Sequence, residues 1–168
     1  HILSLPFNML GIGVALNILR ETVMGRELFD HAFKTYCERW KFKHPTPADF
    51  FRTMEDATGA DLAWFWRGWF IEGANLDQAV DEVRQPKGRS AGVVTFTNRE
   101  RMVMPLEFTV TFVDETTETQ SLPVQVWFTS DRVQRRVATR KEIARVDIDP
   151  RKVLPDISRT NNKWVKAE

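Results

Sequence analysis

The chain is poor in the residues from which most active sites are assembled. It holds one cysteine, one tyrosine and three histidines among 168 residues. A lone thiol, Cys37, closes no internal disulfide and supplies no thiolate zinc site, and its place in a helical run of apolar residues predicts a small buried hydrophobe. His1, His31 and His44 include no pair spaced four apart around a glutamate, so the H-E-x-x-H zinc helix is absent. His31 is expected on the polar side of a helix, and His44 in a loop before Pro45. Ser4, Ser90, Ser121, Ser130 and Ser158 lie in no G-x-S-x-G elbow. Gly11-Ile12-Gly13 lacks the third glycine and the preceding strand of a dinucleotide loop. On these grounds no catalytic residue and no metal ligand is assigned, and substrate-binding residues stay unassigned.

An excess of either charge is missing too. Lys and Arg number 24 against 23 Asp and Glu, and the balance stays even when the chain is cut near Asn75. Binding driven by phosphate charge needs a basic excess, so nucleic acid is not an expected partner. Charge is absent altogether from the first nineteen residues, HILSLPFNMLGIGVALNIL. Pro6, Asn8, Gly11, Gly13 and Asn17 interrupt that run, and no basic leader or cleavage site accompanies it, which argues against a membrane span and a signal peptide. With His1 in place of a starting Met, the expectation is a chain cut from a longer protein through a segment that was buried there.

Aromatic side chains, by contrast, are plentiful, and the first half spaces them for helices. Leu28, Phe29, Ala32, Phe33, Tyr36, Cys37 and Trp40 fall on one helical stripe. Gly25 reads as the stop of a preceding helix over about Val14 to Met24. In HPTPADFF, Thr46 is the expected N-cap, Pro47 the first helical residue and Asp49 the acid near the free N–H groups, with a stop at Gly59. Asp61 or Gly59 opens a fourth helix carrying WFWRGWF, five aromatic rings in seven positions. Leu62, Phe65, Trp66, Trp69 and Phe70 recur at core spacing there, whereas Trp64 lies to the side and is the candidate for an exposed ligand-stacking ring.

After Gly73 the period changes. GVVTFTN, PLEFTVTFVD, TETQSLPVQVWF and ARVDIDP alternate or are β-branched, and Pro86-Lys87-Gly88 and Asp114-Glu115 supply turns. Phe108, Val110 and Phe112 alternate with Thr109 and Thr111, the pattern of a half-buried strand. The fold class is therefore α+β: a small helical unit over residues 1–73, then an antiparallel immunoglobulin-like β-sandwich over 74–168. The carboxylate pairs Glu55-Asp56 and Asp147/Asp149 are read as solvated surface.

Specific strings give more. Leu16, Leu19, Arg20 and Glu21 form L-x-x-L-R-E; Phe29, Ala32, Phe33 and Tyr36 form F-x-x-A-F-x-x-Y; His44 to Phe51 give H-P-T-P-x-D-F-F; Asp61 to Phe70 give D-L-x-W-F-W-x-x-W-F. The stretch from Ala15 to Phe70 closely resembles the helical segment that follows the zinc site in aminopeptidase-N-like metallopeptidases, the gluzincins. The second half resembles the sandwich that follows this segment in bacterial members, with V-x-I-D-P at Val146 to Pro150 and L-P-D-x-x-x-x-N-N-x-W at Leu154 to Trp164.

The resemblance implies a parent enzyme that hydrolyses an N-terminal peptide bond with a zinc-activated water. Its ligands, its general-base glutamate and its oxyanion tyrosine have no counterpart in this chain. Met9-Leu10-Gly11-Ile12 occupies the ground where that tyrosine would stand. The expectation is a C-terminal, non-catalytic portion of such a peptidase, inert alone, with zinc and the peptide substrate belonging to the parent and the catalytic half as its partner. Apolar faces left uncovered predict self-association. The alternative is a stand-alone peptide- or protein-binding module derived from such a peptidase, and a third reading is an assembly domain acting through an open sandwich edge. The compartment stays open between bacterial cytoplasm and periplasm.

Overall fold

The computed structural model describes residues 9–167; His1, Ser4, Pro6 and Asn8 fall outside the described residues. The chain divides into two compact units, residues 1–73 and 74–168.

In the first unit, helix α1 (Met9–Ile18) runs into a π-helical turn, Leu19–Met24. The helix thus begins earlier than the expected Val14, because Gly11 and Gly13 cost a helix only about 1 kcal/mol each and do not break it. Gly25, at φ 84°, ends it in a conformation that L side chains rarely adopt. Helix α2 (Arg26–Trp40) follows, with Phe29 and Ala32 buried. Cys37 is exposed, a correction to the expected buried thiol. The apolar stripe of α2 is wider than the face that is covered. Phe29 and Ala32 occupy the covered side, while Leu28, Phe33 and Cys37 lie on the flank and stay in solvent.

Helix α3 (Pro47–Thr58) is capped as its sequence requires. The Thr46 hydroxyl accepts from the Asp49 N–H, the Asp49 carboxylate accepts from the Thr46 N–H at 2.8 Å, and Gly59 closes the other end at φ 66°. α3 packs on α2 through Tyr36 and Phe50, whose rings meet edge to face at 4.9 Å. The Trp40 indole N–H also donates to the Thr53 hydroxyl at 3.1 Å. The fourth helix is shorter and less regular than expected: α4 (Ala63–Trp66) gives way to a second π-helical turn, Arg67–Ile71. Asp61 takes part in its start by accepting from the Ala63 N–H at 3.2 Å.

The second unit is a β-sandwich of antiparallel sheets. Strands β1 (Gln78–Arg84), β2 (Ala91–Asn98) and β5 (Arg132–Ala138) form one sheet, in the order β1-β2-β5. Strands β3 (Leu106–Phe112), β4 (Thr117–Leu122), β6 (Ile143–Ile148) and β7 (Lys163–Val165) form the other, in the order β4-β3-β6-β7. The alternation of β3 is complete: Leu106, Phe108, Val110 and Phe112 are buried and the residues between them half-buried. Phe108 meets Phe96 of the facing sheet with ring centroids 4.7 Å apart. Burying such a ring contributes about 1.5–3 kcal/mol, so these inner faces are the energetic centre of the unit.

One expected strand is shorter than its segment, and the expected turns form. The segment TETQSLPVQVWF is a strand only to Leu122; Pro123 has no N–H to give a ladder, and Val124–Trp127 coils into a 3-10 turn closed by Val126 N–H on Pro123 O. The turns at Gly88 and Asp114-Glu115 form as expected, with Glu115 at φ 65° and the Thr116 N–H on the Asp114 carboxylate.

Candidate functional site

The aromatic string of the first unit builds a continuous face. Phe65 is 1% exposed and Trp66 is 4% exposed. Phe51 of α3 stacks on Trp66 at 4.5 Å and 16°, and Phe70 tilts against Phe51 at 5.3 Å. Phe65 and Trp69 meet at 5.9 Å. Four of the five rings of WFWRGWF are thereby consumed by packing within the unit. Trp64, the ring expected to be exposed, is half-buried. It stands edge-on to Phe65 and its indole N–H donates to Asp61 O at 3.0 Å, which pins the start of α4.

Trp66 and Trp69 carry buried indole N–H groups with no acceptor among the described residues. A helix-period reading could not find this, because it places rings on faces without locating their polar atoms.

The L-R-E string does electrostatic work. Arg20 forks onto Asp30 of α2, with Nε to Oδ1 at 2.7 Å and NH2 to Oδ2 at 2.9 Å, and its NH1 reaches Glu21 at 2.7 Å. Arg26 grips the same Glu21 carboxylate at 2.9 Å. The hydrogen bond from Arg20 holds the Asp30 carboxyl below its ordinary range, and that from Arg26 does the same for Glu21. Arg20 is itself held above its ordinary value by the bond to Asp30. The four charges clamp the π-helical turn to α2 across Gly25.

His31 and His44 are both exposed and stand on different elements, one in α2 and the other in the loop before α3. Among the described residues no three His, Cys, Asp or Glu side chains converge as metal donors would. The zinc implied by the resemblance has no donor set there. Glu55 is half-buried and accepts from the Leu62 N–H at 3.2 Å, joining α3 to α4, while Asp56 faces Arg39 at 3.7 Å.

In the sandwich, the strings V-x-I-D-P and L-P-D-x-x-x-x-N-N-x-W turn out to be a latch. Asp149 is 4% exposed, a correction to the solvated surface expected of it. Its carboxylate accepts from the Val153 and Leu154 N–H groups at 3.1 and 3.0 Å, and from Arg159 at 2.7 Å. A buried charge survives only when paired in this way. Asp156 accepts from the Gln78 N–H at 2.8 Å and from Asn162 Nδ2 at 3.0 Å. Asn161 Nδ2 donates to Asp77 at 2.8 Å and Asn162 Nδ2 to Gln78 O at 2.6 Å. The end of the chain is thus stitched to the entry of β1.

Beside the latch lies a shallow cavity of about 450 Å3 whose lining includes Arg145, Asp147, Asp149, Lys152, Arg159 and Lys163. Arg145 is paired with Asp147 at 2.6 Å, as Arg159 is with Asp149.

Among solved proteins the chain has a structural neighbour. An aminopeptidase A of Legionella pneumophila, crystallised in complex with aspartic acid, is similar in structure over 85% of this chain, with a TM-score of 0.58 and 12% sequence identity. The likeness is one of fold. This chain spans 16% of the length of that protein. No family profile and no curated protein matches the sequence. No helix among the described residues is long and apolar enough to cross a membrane.

Proposed function

We propose that the chain is the C-terminal, non-catalytic portion of a zinc-dependent aminopeptidase of the gluzincin type. In the parent, the helices wall the substrate cleft and the sandwich braces the catalytic half. Peptide hydrolysis and zinc belong to residues outside this sequence. The observation that carries the reading is a structural likeness, over 85% of this chain, to 16% of a much longer aminopeptidase. The strings HPTPADFF and WFWRGWF support it independently, because they are the strings that resemble the family.

The reading as a stand-alone peptide-binding module gains little from the geometry. It called for an exposed Trp64, and that ring is tied to Asp61 O. The test is the intact mass of the polypeptide that carries WFWRGWF in its native source, by immunocapture and mass spectrometry. The expected species is several times heavier than 19.6 kDa. A species near 19.6 kDa sinks the reading and redirects the search to peptide and partner binding.

A further inference from the structure

The loop between α2 and α3 presents a phenylalanine where a protein would ordinarily place glycine. Trp40 O accepts from the Lys43 N–H at 2.9 Å, Lys41 sits at φ −50°, ψ 126°, and Phe42 follows at φ 62°. That is the course of a type II turn, whose third position favours glycine. A bulky residue there is disfavoured by about tenfold in conformational equilibrium.

The ring is 94% exposed, so packing among the described residues does not offset that cost. Lys41 Nζ lies 5.2 Å from the Phe42 ring and Lys43 Nζ 5.8 Å from the Trp40 ring, and neither lysine makes an ion pair among the described residues. The turn is nonetheless held at both ends, by Trp40 on Thr53 and by the Thr46–Asp49 capping box. A strained, exposed aromatic residue in a turn held at both ends, between cations without an ion pair among the described residues, has the features of a preorganised docking anchor.

We infer that Phe42 inserts into an apolar pocket rimmed by carboxylates on the remainder of a longer peptidase chain, with Lys41 and Lys43 meeting that rim. This rests on the proposed function. Two observations select the occupant. The tip is cationic with no acid between Arg39 and Asp49, which calls for an acidic rim. The matching structure shares only 16% of its length with this chain, so a fold of this kind has a large remainder to dock upon. A bilayer suits the tip less well, because a single ring flanked by Lys41, Lys43 and His44 lacks the broad apolar face of an interfacial anchor.

The test joins lysines to carboxylates with a zero-length carbodiimide in the native polypeptide carrying KFKHPTP, followed by peptide mass spectrometry. The expected product links Lys41 or Lys43 to an Asp or Glu of the same polypeptide outside residues 1–168. A Phe42→Gly substitution lowers its yield about tenfold. The same substitution raises the melting temperature of the isolated chain by relieving the left-handed backbone, which separates loss of docking from loss of fold.

A heavy polypeptide whose two lysines link only within residues 1–168 overturns the anchor and leaves the proposed function standing. A polypeptide near 19.6 kDa overturns both. Links between two copies, or Phe42-dependent sedimentation of the chain with vesicles of phosphatidylserine and phosphatidylcholine, reassign the tip and overturn the inference as well.

Discussion

The guanidinium of Arg159 meets the buried carboxylate of Asp149 at 2.7 Å, and through that contact the C-terminal segment closes over the end of β6. Asp149 carries a left-handed backbone at φ 47°, and its N–H donates to Glu107 O at 2.8 Å. The carboxylate then gathers two further backbone N–H groups, from Val153 and Leu154. One side chain therefore sets both the turn after β6 and the path back toward β7. The two partners are unequal, because Asp149 is sealed from water and Arg159 is 40% exposed.

Asp149→Ala is expected to destabilise the sandwich by about 3 kcal/mol, since it strands two backbone donors and a guanidinium. Arg159→Ala should cost less, about 2 kcal/mol, because the buried carboxylate loses its charge partner but keeps its two backbone donors. Urea unfolding of the two variants checks the order. Equal costs would show that the backbone donors contribute nothing.

This latch also shows where the sequence was silent. The strings around Asp149 and Asn162 were visible, yet their residue types are those of solvated turns, and only the fold brings Asp156 and Asn162 to Gln78. Similarly, β1 and β5 went unread. β5 is RVQRRVA at the edge of its sheet, largely solvent-facing, and a bulge between Val80 and Glu82 breaks the alternation of β1. Local chemistry fared best. The Thr46 cap, the stops at Gly25 and Gly59 and the alternation of β3 depend on neighbours within a few residues, and each formed as read. Cys37 misled because helical spacing reports a face without reporting whether anything covers it.

Thr46→Ala should lower the stability of the helical unit by about 1 kcal/mol, the usual worth of such a cap. The mutation removes the hydroxyl that accepts from the Asp49 N–H and donates to the Asp49 carboxylate. It leaves the Thr46 N–H on that carboxylate, and this backbone bond is the larger cause of the lowered Asp49 pKa. An NMR titration should therefore find Asp49 still below its ordinary value in the variant. A full return to the ordinary value would mean that the hydroxyl carried the effect.

The β3–β4 turn carries a pH dependence of defined sign. Asp114 is pulled from 3.8 to about 2, first by the hydrogen bond from Lys141 and next by that from Thr116. A folded-state pKa below the unfolded one favours the fold above the unfolded value, and the benefit is lost as pH falls through the folded one. The contribution should therefore be complete above pH 4 or so and fade toward pH 2. Lys141→Met should move the Asp114 titration upward toward 3.8 and flatten that dependence. Carboxyl chemical shifts followed from pH 6 to pH 1.5 or so read both quantities; an unmoved midpoint in the variant would dismiss Lys141 as the main cause.

A side chain at Gly92 of β2 would press on the opposite sheet. A Cβ built there would stand 2.7 Å from Ile143 Cδ1, inside the contact distance of two carbons, and Ile143 is itself fully buried. Gly92→Ala should cost about 1–3 kcal/mol through overpacking. Ile143→Val deletes the offending methyl and alone should cost about 1 kcal/mol. Because the added and removed methyl groups share one space, the double variant should be more stable than the sum of the single losses by at least about 0.5 kcal/mol. Urea unfolding of all four proteins measures that coupling. Strict additivity would mean that the sheets shift apart to admit the new methyl, and that the core at this point is set by strand spacing and not by the Ile143 side chain.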